Sequence, residues 1–212
     1  MTDNFHLHAE GIESRLRELA NRDDHVARAL DLVGIPDTRP AGEQSFHTFM
    51  RVIVGQQLSV KAAATIRDRV EALVGPGAGP KEYARVADED LRAAGLSRQK
   101  ISYARSLCDV VNDGTLVIEA LPSMSDEEAI RAITAVKGLG VWSAHMYLMF
   151  SLGRPDIWPV GDLAVRVGVG RIMGLEDRPT EKQCADIGER WRPHRSVMAL
   201  LAWHYYSNAP AI

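Results

Sequence analysis

Two features of the chain could do chemistry together: a Gly-x-Gly turn in Val136-Lys137-Gly138-Leu139-Gly140-Val141, and an isolated carboxylate, Asp162, in Trp158-Pro159-Val160-Gly161-Asp162. The glycines permit a tight turn and let backbone amides approach another molecule closely. Amides at the start of the following helix point outward and favour an anion such as a phosphate. Gly138, Gly140, Val141, Trp142 and Ser143 supply that row of amides. Asp162 reads first as the N-cap of a helix over 163–172, worth about 1 kcal/mol. Capping and catalysis do not compete here, because the helix dipole and its amides hold the carboxylate as an anion. A fixed anion suits a positively charged transition state, such as an oxocarbenium ion on a sugar. Glycosidases normally pair two carboxylates, one of which protonates the leaving group. A leaving base that is already cationic needs no such proton, so one aspartate suffices.

The aromatic residues extend this reading. Trp142, Trp158, Trp191 and Trp203 are all the tryptophans, and core packing is the default for each. Against that default, flat indole faces are what an everted base would stack on. They also attract cations, by about 0.5–2 kcal/mol. Gln56-Gln57-Leu58-Ser59 is a polar cluster beside a very apolar run; helix capping explains Ser59, and the two glutamines are expected to face the pocket or the nucleic acid. Arg195 is expected to be a buried structural ion-pair partner rather than a phosphate contact. The seven histidines show no metal-ligand spacing, and no catalytic metal or cofactor is expected.

Helices must position these groups. Apolar residues recur at three- and four-residue spacing over 13–19 and 26–32. Residues 46–54 read as a largely buried helix ending near Gly55, and the last helix as starting around Trp191. Ser59 and Ser97 are expected to cap helices, the first stopped by Gly75-Pro76-Gly77. Ser125-Asp126-Glu127-Glu128 and Thr180-Glu181-Lys182-Gln183 have capping-box spacing. Residues 125–135 and 142–150 therefore flank the turn as a helix–hairpin–helix. Only Thr115-Leu116-Val117-Ile118 hints at a strand. The fold class is all-α, with about ten short helices packed at varied angles.

Bulk composition leaves the partner open. Net charge is −3, but from Lys137 onward nine basic and seven acidic residues give +2, so the hairpin half is mildly basic. Two distant cysteines, Cys108 and Cys184, fit a reducing cytoplasm and cannot supply the four thiolates of an iron–sulfur cluster. No apolar run reaches the length of a membrane span, and the N-terminal residues lack a signal-peptide pattern.

With the hairpin, Pro159-Val160-Gly161-Asp162, Val54-Gly55-Gln56-Gln57-Leu58-Ser59 and Arg192-Pro193-His194-Arg195-Ser196 in this order, the chain resembles the helix–hairpin–helix DNA glycosylase superfamily. Within it the similarity points to the 3-methyladenine-DNA glycosylase II (alkylbase) branch, over roughly residues 46–205. The resemblance implies two helical subdomains around a DNA-binding cleft: residues 41–152 carrying the hairpin, and residues 1–40 plus 153–212. It puts Asp162 in the place of the catalytic aspartate. Trp142 stands where bifunctional members have a Schiff-base lysine, which implies hydrolysis without strand cleavage. Trp203 takes the pocket tryptophan's place on the last helix. Met146 and Leu163 stand at pocket positions that are aromatic in the bacterial enzyme of this branch, and Trp158, Gln56 and Gln57 complete the expected pocket. The resemblance further implies that the carbonyls of Thr134, Val136 and Leu139 hold a monovalent cation, Na+ or K+. It also implies a wedge from the loop 36–42, with Arg39 as the choice.

The expected activity is release of alkylated purines, chiefly 3-methyladenine and also 7-methylguanine, from damaged double-stranded DNA in base excision repair, by a cytoplasmic monomer. Rival readings are a glycosylase for deaminated or oxidised bases, a non-catalytic DNA-structure-binding module, and a helical domain serving only protein partners.

Overall fold

A computed structural model describes residues 9–37 and 41–210. Arg39, the expected wedge, lies outside the described residues. The described residues form α1 (Ala9–Ala20), α2 (Asp24–Val33), α3 (Phe46–Gly55), α4 (Val60–Val74), α5 (Pro80–Arg85), α6 (Asp88–Ala93), α7 (Arg98–Asn112), α8 (Asp126–Thr134), α9 (Val141–Phe150), α10 (Leu163–Ile172), α11 (Glu181–Gly188) and α12 (Arg195–Asn208), with short 3₁₀ turns at Ile118–Ser123 and Glu189–Trp191. No strand occurs among them. The strand hint at 115–118 dissolves for a local reason. Gly114 is left-handed at φ +79°, and Asp113 accepts the Thr115 amide at 2.8 Å. The chain thus turns at once into the 3₁₀ segment.

The caps are where the side chains put them. Ser59 Oγ accepts from the Ala62 amide at 3.3 Å and Ser97 Oγ from the Lys100 amide at 3.2 Å. Ser125 with Glu128, and Thr180 with Gln183, close reciprocal capping boxes. The Ser125 amide donating to the Glu128 carboxylate holds that group below the ordinary glutamate range. The last helix begins at Arg195, not at Trp191. Pro193 disfavours helical backbone at the residue before it, and Arg192 is extended at φ −60°, ψ 144°.

The chain divides into two compact units: Gly42–Ala144, and both chain ends together, Met1–Ala41 with His145–Ile212. In the contiguous unit α7 packs against α3, α5 and α6. Phe49, Ile53, Leu107 and Ile133 are buried in that unit. In the two-ended unit α12 is central, packing against α1, α2 and α10, with Val197 to Ala202 all buried. Gly168 lets α10 come close: a Cβ there would stand 2.1 Å from the Ala202 carbonyl oxygen. Helix contact at that distance is open only to glycine.

Candidate active site and nucleic-acid interface

The hairpin occupies residues 135–140 between α8 and α9 in the contiguous unit. Gly138 adopts φ +90°, and a Cβ on it would lie 2.2 Å from the Tyr103 ring on α7. Both the backbone sign and the close approach therefore demand glycine at this position. Gly140 is different, because nothing lies within 4 Å of its added Cβ. Packing does not demand the second glycine. Lys137 ties the turn to α7, its amide donating to Ser106 Oγ at 3.3 Å and its Nζ to Ser102 Oγ at 2.8 Å. The first bond of the new helix runs from the Ala144 amide to the Gly140 carbonyl at 3.1 Å. The amides of Val141, Trp142 and Ser143 consequently form its first turn, where N–H groups precede any i−4 carbonyl. Val141 and Trp142 are exposed, Trp142 at 48%, whereas the Ser143 side chain is buried.

Asp162 sits at the head of α10 in the two-ended unit. Its Oδ1 accepts two hydrogen bonds at 3.0 Å, one from the Val165 amide and one from the indole Nε1 of Trp203 on α12. The first is the N-cap bond. The second links two helices and can form only because Gly168 seats Ala202, the neighbour of Trp203, against α10. Phe150 stacks on Trp203, with centroids 6.1 Å apart and planes at 26°. The segment leading to Asp162 is itself anchored: Ser196, fully buried, donates its hydroxyl to the Arg154 carbonyl at 2.7 Å and accepts the Ile157 amide at 3.0 Å. Arg195 grips Asp156 through Nε–Oδ1 at 2.8 Å and Nη2–Oδ2 at 2.9 Å, a fork-to-fork pair.

Two sequence expectations change here, and one contact is new. Trp158 is core: it is 6% exposed, donates its indole N–H to the Cys184 carbonyl at 2.9 Å and meets Trp191 edge-on at 5.4 Å. Its ring presents no open face for a base. Gln56 is turned to the hairpin: its Nε2 donates to the Gly138 carbonyl at 2.8 Å, within the contiguous unit. Phe150 is an aromatic contact to Trp203 that sequence reasoning missed. Its position one helical turn after Met146 on α9 was the available signal. Leu163, half-exposed at the first turn of α10, and the half-buried Met146 keep accessible surface, and Gln57 is a left-handed residue at φ +56°. Cys108 and Cys184 are buried, and burial lifts each thiol to about 11. Neither is a nucleophile at neutral pH.

Residues 50–193 match the model of the HhH-GPD superfamily of base excision DNA repair proteins, and the chain belongs to that family. YfjP of Bacillus subtilis, provisionally assigned as a DNA-3-methyladenine glycosylase, is 28% identical over 165 residues; these cover 74% of this chain and 58% of that protein. The crystal structure of a DNA-3-methyladenine glycosidase from Bacillus halodurans superposes with a TM-score of 0.83 at 34% identity, covering 92% of this chain and 89% of that one. The 3-methyladenine DNA glycosylase Mag1 of Schizosaccharomyces pombe, solved in complex with abasic DNA, gives a TM-score of 0.79 at 30% identity, covering 90% and 95%.

Proposed function

We propose that this protein is a monofunctional DNA glycosylase that hydrolyses the N-glycosidic bond of alkylated purines in duplex DNA, chiefly 3-methyladenine, with 7-methylguanine as a second substrate. The observation that carries this reading is Asp162. One carboxylate, fixed through Oδ1 by the Val165 amide and the Trp203 indole, stands at a helix N-terminus in a chain of the base excision repair family. The names of the relatives, and DNA in the Mag1 structure, support the choice of substrate.

The chemistry needs little else. The first-turn amides of α9, with Gly138 and Gly140, grip backbone phosphates, which positions the protein without reading sequence. The damaged nucleotide is everted at a cost of a few kcal/mol, least where pairing is already weakened. The remaining face of Trp203 stacks on the electron-poor base. The C1′–N bond breaks and its electron pair leaves with the base, which departs neutral because alkylation had made it cationic. Asp162 stabilises the oxocarbenium ion left on the sugar. Water then adds to C1′ and loses its proton, giving an abasic site in an intact strand. Lys137, held to Ser102, is assigned no lyase role.

The carbonyls of Thr134, Val136 and Leu139 fit a Na+ or K+ ion chemically. They are hard oxygen donors in the turn that ends α8, the negative end of its dipole. Such an ion would brace the hairpin and take no part in bond breaking.

Incubation with a methylated duplex tests the reading. Free 3-methyladenine should appear while the strand stays whole until alkali is added. Absence of any released base, or strand scission before alkali, contradicts it.

A further inference from the structure

Gln56 is the last polar side chain before a bend that no glycine relieves. The next residue, Gln57, sits at φ +56°, which costs a non-glycine residue about 1–2 kcal/mol. Strain of that kind persists where surrounding contacts over-determine it. The contacts here are specific. Lys100 Nζ donates to the Val54 carbonyl at 2.7 Å, fixing the end of α3. Gln56 then reaches across to the Gly138 carbonyl at 2.8 Å. Its amide orientation is determined, since only the NH₂ group can face a carbonyl oxygen. A cavity of about 260 Å³, also lined by Gln57, Gln99, Lys100 and Tyr103, lies beside this contact.

The consequence falls on one peptide unit. The Leu139 amide donates to the Val136 carbonyl at 3.0 Å, while the carbonyl of the same peptide, on Gly138, accepts from Gln56. The Gly138–Leu139 plane is therefore held at both ends. Without the outer bond a glycine at φ +90° has wide freedom to rotate that plane. Every amide that begins α9 follows it in the chain.

We infer that Gln56 is a positioning residue for DNA binding: it locks the Gly138–Leu139 peptide and so aims the phosphate-gripping amides at the start of α9. This rests on the hairpin gripping phosphate as proposed above, and it gives Gln56 a role in affinity rather than in base recognition.

Gln56→Leu separates the two roles. Binding is read on a duplex carrying a tetrahydrofuran abasic analogue, and chemistry as the single-turnover release rate from a methylated duplex at saturating protein. Loss of one such hydrogen bond should raise Kd roughly 3–10-fold, with the saturated rate within about twofold of the parent. Amide exchange at residues 139–141 should accelerate. An unchanged Kd overturns the inference, and so does any larger loss of saturated rate, which would return Gln56 to the base pocket. If Gln56→Leu does not fold, Gln56→Asn, one methylene too short to reach, carries the same test. Asp162→Asn is run alongside. Full activity in that variant sinks the catalytic role given to Asp162 and no base released by the parent sinks the glycosylase reading, whereas the Kd of Gln56→Leu judges the hairpin brace separately.

Discussion

The hairpin in the contiguous unit and the carboxylate site in the two-ended unit are built by opposite means. At the hairpin the proposed functional groups are backbone amides, and side chains hold them: Gln56 on the Gly138 carbonyl, the Tyr103 ring beneath Gly138, and Lys137 with Ser102 and Ser106. At the carboxylate site the proposed functional group is a side chain, and backbone holds it: the Val165 amide, a helix approach through Gly168, and the Ser196 amide on the Pro155 carbonyl in the segment that leads in. The Trp203 indole adds a side-chain bond to Asp162. Binding should therefore tolerate changes in the outward-facing side chains of the hairpin but not in its glycine. Chemistry should depend on Asp162 and on the few contacts that hold it.

Substitutions of the supporting residues can break this contrast, and the two close-approach glycines have the largest expected effects. Gly138→Ala combines a left-handed φ with a Cβ 2.2 Å from the Tyr103 ring. It should cost about 2–4 kcal/mol of stability and abolish tight DNA binding, whereas Gly140→Ala, in open space, should melt like the parent. Denaturant unfolding of the pair decides it, and equal midpoints would refute the packing account. Gly168→Ala would gain about 1 kcal/mol of helix propensity if space allowed. With the Ala202 oxygen at 2.1 Å it should instead lose stability and, by moving Trp203, slow base release. A stabilised variant would show that α12 yields freely. Next comes Trp203→Phe, which keeps an aromatic ring but removes the indole donor. A hydrogen bond to a charged group contributes about 1.5–3 kcal/mol, so single-turnover release should slow at least tenfold with Kd for DNA nearly unchanged. The reverse pattern would make Trp203 a stacking platform alone.

The smallest effect is a pH slope in the two-ended unit. Burial, helped by the charge of Arg195, holds His145 below its ordinary value of 6.5. The unfolded chain then takes up a proton that the folded protein refuses. The contribution is fully present above pH 6.5. It falls away as pH drops from there towards the lowered folded value. His145→Gln should flatten the loss of melting temperature between neutral and mildly acidic pH. An identical slope in both proteins would place the acid sensitivity elsewhere.

What the sequence made legible follows from how local each signal is. Caps at Ser59, Ser97, Ser125, Thr180 and Asp162 are written in three or four consecutive residues, and each forms. The Arg195 ion pair was legible because an arginine at the head of an apolar helix needs a carboxylate. Contacts across long sequence separations were not. Nothing near Gln56 announces a carbonyl 82 residues away. The burial of Trp158 depends on Gly188, where a Cβ would strike the indole nitrogen at 2.4 Å. Gly168 reads as a helix weakness until Ala202 is placed against it. Where local chemistry sufficed, reading worked; where two helices had to meet, it did not.

The most direct test of the account is the single-turnover release of 3-methyladenine from a methylated duplex by Asp162→Asn. Asparagine keeps the size and a carbonyl oxygen for the cap but removes the negative charge. Release should fall by roughly 10²–10³-fold while the variant melts close to the parent and binds the abasic analogue with similar affinity. Release at the parent's rate would contradict the claim that this carboxylate stabilises the sugar cation.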